Sequence, residues 1–176
     1  MKQLVQWSYH LWYNRCVTVK TGELGSSMSS VRVLVVEDFE PFRRFVCSRV
    51  GDSSELQVIC EVSDGLEAVQ KAEELQPDLI LLDVGLPNLN GIEAARRIRK
   101  LSPQSKILFV SQESSADVIE EALSLGAMGY VIKAHAGSEL LVAMEAVREG
   151  RQFVSSGASL EPPTVFARNE RAITQQ

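Results

Sequence analysis

The chain has 176 residues, 45% of them hydrophobic and 23% charged, with a formal net charge of −5. Such a length suits one well-buried domain with about fifty residues to spare as extensions, and the acidic balance argues against a dedicated nucleic-acid binder, which would carry a basic face. No stretch approaches the roughly 18 apolar residues of a membrane span, the N-terminus lacks the apolar core of a secretory signal, and Cys16, Cys47 and Cys60 fit no zinc-ligand spacing. A reducing cytoplasm is the simplest compartment.

Residues 1–30 hold Trp7, Tyr9, Trp12 and Tyr13, followed by a Gly- and Ser-rich stretch that reads as a linker. Met28 would serve equally well as an initiator, so no function rests on this extension. Organisation begins with VRVLVVE (residues 31–37), β-branched and apolar, which predicts a buried strand ending in the adjacent acids Glu37 and Asp38. Pro41 then stands in the first turn of a helix whose apolar face is Phe42, Phe45, Val46 and Val50. A weaker strand spans 56–62, and a helix with Leu66, Val69, Ala72 and Leu75 on one face follows, with Asp64 available as its N-cap.

The stretch LILLDVGLPNLNG (residues 79–91) runs four aliphatic residues straight into Asp83. An unbroken apolar run predicts a strand covered on both faces, as in a parallel sheet. Ile92, Ala95 and Ile98 begin the next helix, whose outer face and last turn carry Arg96, Arg97, Arg99 and Lys100, cations that complement a helix C-terminus. A strand over 106–110 ends in Ser111. Val118, Ile119, Ala122 and Leu123 define the helix after it, which Gly126 terminates. A short strand, 129–132, ends in Lys133, and Leu140, Leu141, Met144 and Val147 define a last helix closing near Gly150.

This alternation predicts a doubly wound, flavodoxin-like (βα)5 domain over residues 31–150, with a five-stranded parallel sheet of order 2-1-3-4-5. Its topological switch lies between the first and third strands, where their carboxyl ends open a crevice. The tail, 151–176, has no periodicity and is too short for a helix-turn-helix output module; it reads as flexible, with Phe153 and Val154 the residues able to pack back on the domain.

Polar groups therefore collect at one sheet edge: Glu37, Asp38, Asp83, Ser111 and Lys133. Each alone has a bland reading as a turn, cap or surface residue, but together they form a constellation. Carboxylates crowded in one crevice repel each other unless a cation is present. An oxygen-only ligand set with open positions suits Mg²⁺ rather than Zn²⁺. Lys133 and Ser111 add a point cation and a hydroxyl for phosphoryl oxygens, and a carboxylate such as Asp83 can act as nucleophile to form an aspartyl-phosphate, with no general base required. Neither His10 nor His135 is given a role.

At this point VLVVEDFEPFRR (33–44), LILLDVGLPNLNG (79–91), ILFVSQ (107–112) and GAMGYVIKA (126–134) resemble, in order and spacing, the receiver domain of bacterial two-component response regulators. The resemblance implies that Asp83 accepts a phosphoryl group from a phosphohistidine on a sensor histidine kinase or phosphotransfer protein. It implies that Glu37, Asp38, Asp83 and the backbone carbonyl of Gly85 hold Mg²⁺. Lys133 would contact the phosphoryl group, Ser111 would swing toward it, and Tyr130 would turn inward as the aromatic switch, changing the face of the fourth helix, fifth strand and fifth helix. An output protein and a phosphorylation-favoured homodimer are further expectations of the resemblance; direct nucleic-acid or membrane binding by this chain is not. Nor is an enzyme expected beyond catalysis of its own phosphorylation and dephosphorylation.

Gly85 and Gln112 depart from common family choices, and Glu113 occupies a position that, with that of Gly85, tunes how water reaches the acyl phosphate, which leaves phosphate lifetime open. VREGRQFVSS (147–156) is similar to the start of the linker in regulators that end in a helix-turn-helix. Three competing readings are kept in view. A haloacid-dehalogenase-type phosphatase would need a second Asp where Gly85 stands, and a flavodoxin would need a phosphate-cradling loop where EDFEP stands. A pseudo-receiver would use the fold as a protein-binding module without phosphorylation, with Gln112 obstructing the donor.

Overall fold

Successive residues of a strand point to opposite faces, and the apolar runs divide on that rule. The structure is a computed structural model and describes residues 30–158; the expectations for residues 1–29 and 159–176 lie outside the described residues. In β1 (Val31–Val36), Leu34 and Val36 join one core and Val33 and Val35 the other. The same alternation divides β3 (Leu79–Leu82), where Ile80 and Leu82 face one side and Leu79 and Leu81 the other, and β4 (Lys106–Ser111), where Phe109 opposes Leu108 and Val110.

Each face is covered by helices. The helices α2 (Gly65–Leu75), α3 (Gly91–Leu101) and α4 (Ala116–Ser124) bring Ala68, Ala72, Ala94, Ala95, Ile98, Ile119 and Ala122 onto one side. On the other, α1 (Glu40–Gly51) contributes Val46 and Val50 and α5 (Ala136–Arg148) contributes Leu140, Ala143, Met144 and Val147. Both layers shut water out of the sheet, so every apolar residue of β3 is buried.

Local signals place the helices. Asp64 caps α2 by accepting from the amides of Leu66 and Glu67, at 2.7 and 3.1 Å, and Asn90 caps α3 through the amide of Glu93 at 2.9 Å. Pro41 stands in the first turn of α1, where its missing N–H costs nothing.

The sheet is parallel, and with β2 (Leu56–Val62) and β5 (Gly129–Ile132) it runs β2-β1-β3-β4-β5-β6. The 2-1-3-4-5 order is as the sequence predicts, but a five-stranded sheet is corrected to six strands. Phe153 and Val154 form β6, pairing with Gly129 and Tyr130. The physical reason is the open edge of β5: the Phe153 amide donates to Met128 O at 3.1 Å and the Ser155 amide to Tyr130 O at 2.8 Å, giving edge carbonyls a partner. Gly129 permits this approach, since a Cβ there would stand 2.9 Å from Phe153 O.

Beyond β6 the chain is clasped. Ser155, 3% exposed, accepts at its hydroxyl from the Ile132 amide at 3.1 Å and donates to Glu139 of α5. Ser156 adds its amide, at 3.2 Å, and its hydroxyl to the same carboxylate. Burial works against the Glu139 charge, but the bonds from Ser155 and Ser156 outweigh it and hold the carboxyl below its usual range.

Candidate functional site

The ends of β1, β3, β4 and β5 deliver Glu37, Asp83, Ser111 and Lys133 to one edge. Glu37 and Asp83 are 3% and 5% exposed, whereas Asp38 is open to solvent. One carboxylate oxygen from each of Glu37, Asp38 and Asp83 lies within 4.8 Å of the others, a cluster that could hold a metal ion. The donor set is all oxygen, two members are buried and one opens outward, and this chemistry fits a hard cation such as Mg²⁺.

Lys133 sits across the acids. Its ammonium donates to Asp83 Oδ2 at 2.7 Å and lies 2.9 Å from Glu37 Oε1 and 2.7 Å from Oε2. Its side chain is 10% exposed. Burial works against the charge, yet the hydrogen bonds to Asp83 and Glu37 prevail and its pKa is raised. For Glu37 the balance goes the other way: burial, with the Asp83 charge nearby, outweighs Lys133 and pushes its carboxyl above the usual 4.5.

Backbone groups fix the acids in place. Glu37 Oε1 accepts from the Phe39 amide at 3.1 Å, and Asp83 Oδ1 from the Gly85 amide at 3.2 Å. The loop after Asp83 is tied to α2, where the Asn88 amide group donates to Asp64 from a left-handed backbone with φ 60°. Arg43 reaches back from α1 to donate to the Glu37 carbonyl at 2.7 Å.

Ser111 closes β4 and is 2% exposed; its Oγ accepts from the Glu113 amide at 3.3 Å. Tyr130 lies wholly inside, its ring stacked on Phe109 with centroids 6.0 Å apart. Its hydroxyl donates at 2.9 Å to the carbonyl of Glu113, the residue whose amide is bonded to Ser111. Burial pushes the Tyr130 phenol up to about 12.

The seven residues singled out from sequence thus occupy one edge of the sheet: Glu37, Asp38, Asp83, Gly85 and Lys133 at the acidic crevice, with Ser111 and Tyr130 linked beside it through Glu113. Sequence reading missed the neighbours that hold them. Phe42, read as core, stands with its ring 4.8 Å from the Lys133 ammonium. Arg43 and Asn88 carried no periodic signal, although Asn in a Gly- and Pro-rich loop marks a left-handed turn position.

Comparison with known proteins bears on the fold and family. The sequence profile of the response regulator receiver domain matches residues 33–145. The chain is 39% identical over 139 residues to a protein-glutamate methylesterase/protein-glutamine glutaminase of Thermotoga maritima, covering 77% of this chain and 40% of that protein. It is 33% identical over 125 residues to the response regulator GacA of Pseudomonas viridiflava, covering 71% and 58%. Among solved structures, a LuxR-family two-component response regulator from Aurantimonas sp. SI85-9A1 superposes with a TM-score of 0.68 at 31% identity, covering 71% of this chain and 89% of that one.

A doubly wound parallel sheet with an acid cluster and a lysine at its carboxyl edge defines a receiver-type α/β domain. The chain belongs to the response regulator receiver domain family of two-component systems. It spans 40% and 58% of the length of the two curated relatives just described. Among the described residues, no helix is long and apolar enough to cross a membrane.

Proposed function

We propose that this chain is a phosphoacceptor signalling module, taking a phosphoryl group from a phosphohistidine of a sensor kinase or phosphotransfer protein onto Asp83. The observation that carries the reading is the Lys133 ammonium 2.7 Å from Asp83 Oδ2, inside a cluster of carboxylates. In the step, an Asp83 carboxylate oxygen forms the new O–P bond while the donor's P–N bond breaks, its electron pair passing to the imidazole. No proton need be removed from Asp83, so a base is unnecessary and the work is positioning and charge neutralisation.

Glu37, Asp38, Asp83 and the carbonyl of Gly85 are the residues that would hold Mg²⁺, which when bound neutralises charge on the transferring phosphoryl oxygens. The Gly85 amide holds Asp83 Oδ1 and so fixes the carboxylate plane. Lys133, released from part of its bonding to the acids, supplies a cation to the phosphoryl oxygens. Ser111 and Tyr130, both bonded to the backbone of Glu113, form the element whose position reports the new charge to the face of α4, β5 and α5.

In this reading residues 31–150 are the receiver, acting in the cytoplasm on an output protein, with self-association as one route of output. Its catalysis is confined to its own phosphorylation and dephosphorylation. Incubation with acetyl phosphate and Mg²⁺, or with a cognate kinase, tests it: the chain gains one alkali- and hydroxylamine-labile phosphoryl group, and Asp83→Ala gains none. Labelling of that variant at the same stoichiometry would overturn the assignment.

A further inference from the structure

Beside the acid cluster, the α1 ring of Phe42 lies under Lys133, its centroid 4.8 Å from the ammonium. Three features make this more than a chance contact. The lysine side chain is only 10% exposed, so the cation and the ring meet with little water between them. The ring is braced by Phe45, with centroids 5.5 Å apart and planes tilted by 37°, which limits its freedom to turn away. It also shares with Glu37, Asp83 and Val110 the lining of the small hollow behind the acids.

The ammonium thus has two kinds of partner, the carboxylates of Glu37 and Asp83 and an aromatic face. These partners differ in permanence. Phosphorylation would turn the Asp83 carboxylate into an acyl phosphate and draw Glu37 toward a cation, so both carboxylates weaken as partners of the ammonium as the reaction proceeds. The ring carries no formal charge and loses nothing in that step, and the negative potential of its face still attracts the ammonium.

We propose that Phe42 is a positioning residue for Lys133, holding the ammonium beside the transferring phosphoryl group once its carboxylate partners are committed elsewhere. This rests on the phosphoacceptor reading and adds to it a requirement for an electron-rich ring at position 42. Side-chain volume alone would not meet that requirement, because an aliphatic residue fills the space without attracting the cation.

The test replaces Phe42 in the full chain with 4-fluoro-, 3,5-difluoro- and 3,4,5-trifluorophenylalanine, which keep the ring's shape while draining its face of electron density. Phe42→Tyr and Phe42→Leu accompany the series. The readouts are the labelling rate with acetyl phosphate at saturating Mg²⁺, the apparent affinity for beryllofluoride, and the thermal midpoint. The expected result is a stepwise fall in rate and affinity with each fluorine, on the order of three- to tenfold by the last, with an unchanged midpoint. Phe42→Tyr keeps the wild-type rate, and Phe42→Leu falls at least as far as the trifluoro variant.

A flat series with a normally labelled wild type overturns the role of Phe42 and leaves Asp83 as phosphoacceptor intact. A fall in rate that tracks a fall in midpoint also overturns it, since packing would then be the cause. A wild-type chain that takes up no phosphoryl group overturns both readings together.

Discussion

Gly91, the first residue of α3, lies so close to the backbone of Asp83 that a Cβ built on it would stand 1.9 Å from the Asp83 carbonyl oxygen. The contact is backbone to backbone, so neither side can yield by changing a rotamer. Gly91→Ala must push α3 off the strand end that carries Asp83, and overpacking of this kind costs about 1–3 kcal/mol or more. Gly137, in the first turn of α5, has nothing within 4 Å of its would-be Cβ. Gly137→Ala should instead stabilise by roughly 0.4–1 kcal/mol through the unfolded chain. Urea unfolding of the pair checks both signs, and equal midpoints would contradict the packing of α3 on β3.

The lysine that bridges the acids makes a second prediction. Lys133→Met removes the cation from between two buried carboxylates, and breaking a buried pair from one side costs roughly 3–5 kcal/mol. Divalent cation should replace part of what is lost, so millimolar Mg²⁺ should raise the midpoint of the variant more than that of the wild type. The variant should also bind Mg²⁺ more tightly while labelling far more slowly at Asp83. Unfolding with and without Mg²⁺ measures this, and a variant indifferent to Mg²⁺ would remove the acid cluster from consideration as a cation site.

Tyr130 sets an alkaline limit. Its phenol is raised to about 12 by burial, so the neutral form is the one the fold prefers. For a raised pKa, the stabilising contribution is complete below the unfolded value of 10.0 and is lost as pH climbs through the folded value. Difference absorbance between the wild type and Tyr130→Phe should show a tyrosinate appearing only near pH 12. A midpoint at or below the ordinary 10.0 would mean that the ring is not held inside.

Asp64 sets an acid limit elsewhere. Burial works against its charge, but the Asn88 amide and the backbone amides of Glu67 and Leu66 outweigh it and hold its carboxyl below 3.8. Its stabilising contribution is therefore present above that ordinary value and lost as pH falls through the lower folded one. Asp64→Ala should cost on the order of 1 kcal/mol as a lost N-cap. A double-mutant cycle with Asn88→Ala should show coupling, and additive effects would deny that α2 tethers the loop after Asp83.

Why some of this could be read from the sequence and some could not is a matter of range. VRVLVV and LILL declare buried strands because their neighbours along the chain are enough to do so, and Asp64 announces its helix from one turn away. Glu37, Asp38, Asp83, Ser111 and Lys133 were legible because parallel strands deliver their ends to one edge, so topology substitutes for contact. The β6 strand was not, since a two-residue strand has no period and is defined only by the edge it meets. Phe42 was legible as an apolar helix residue, but nothing local distinguishes a ring facing a core from a ring facing an ammonium. Ser155 sits in a stretch whose composition reads as loop, and its side-chain partners Ile132 and Glu139 lie 23 and 16 residues away.

That clasp has a mechanical side. Ser155 grips the amide of Ile132, and the next side chain along is that of Lys133. The clasp therefore anchors the backbone one residue before the lysine, at the strand end from which its side chain reaches the acids.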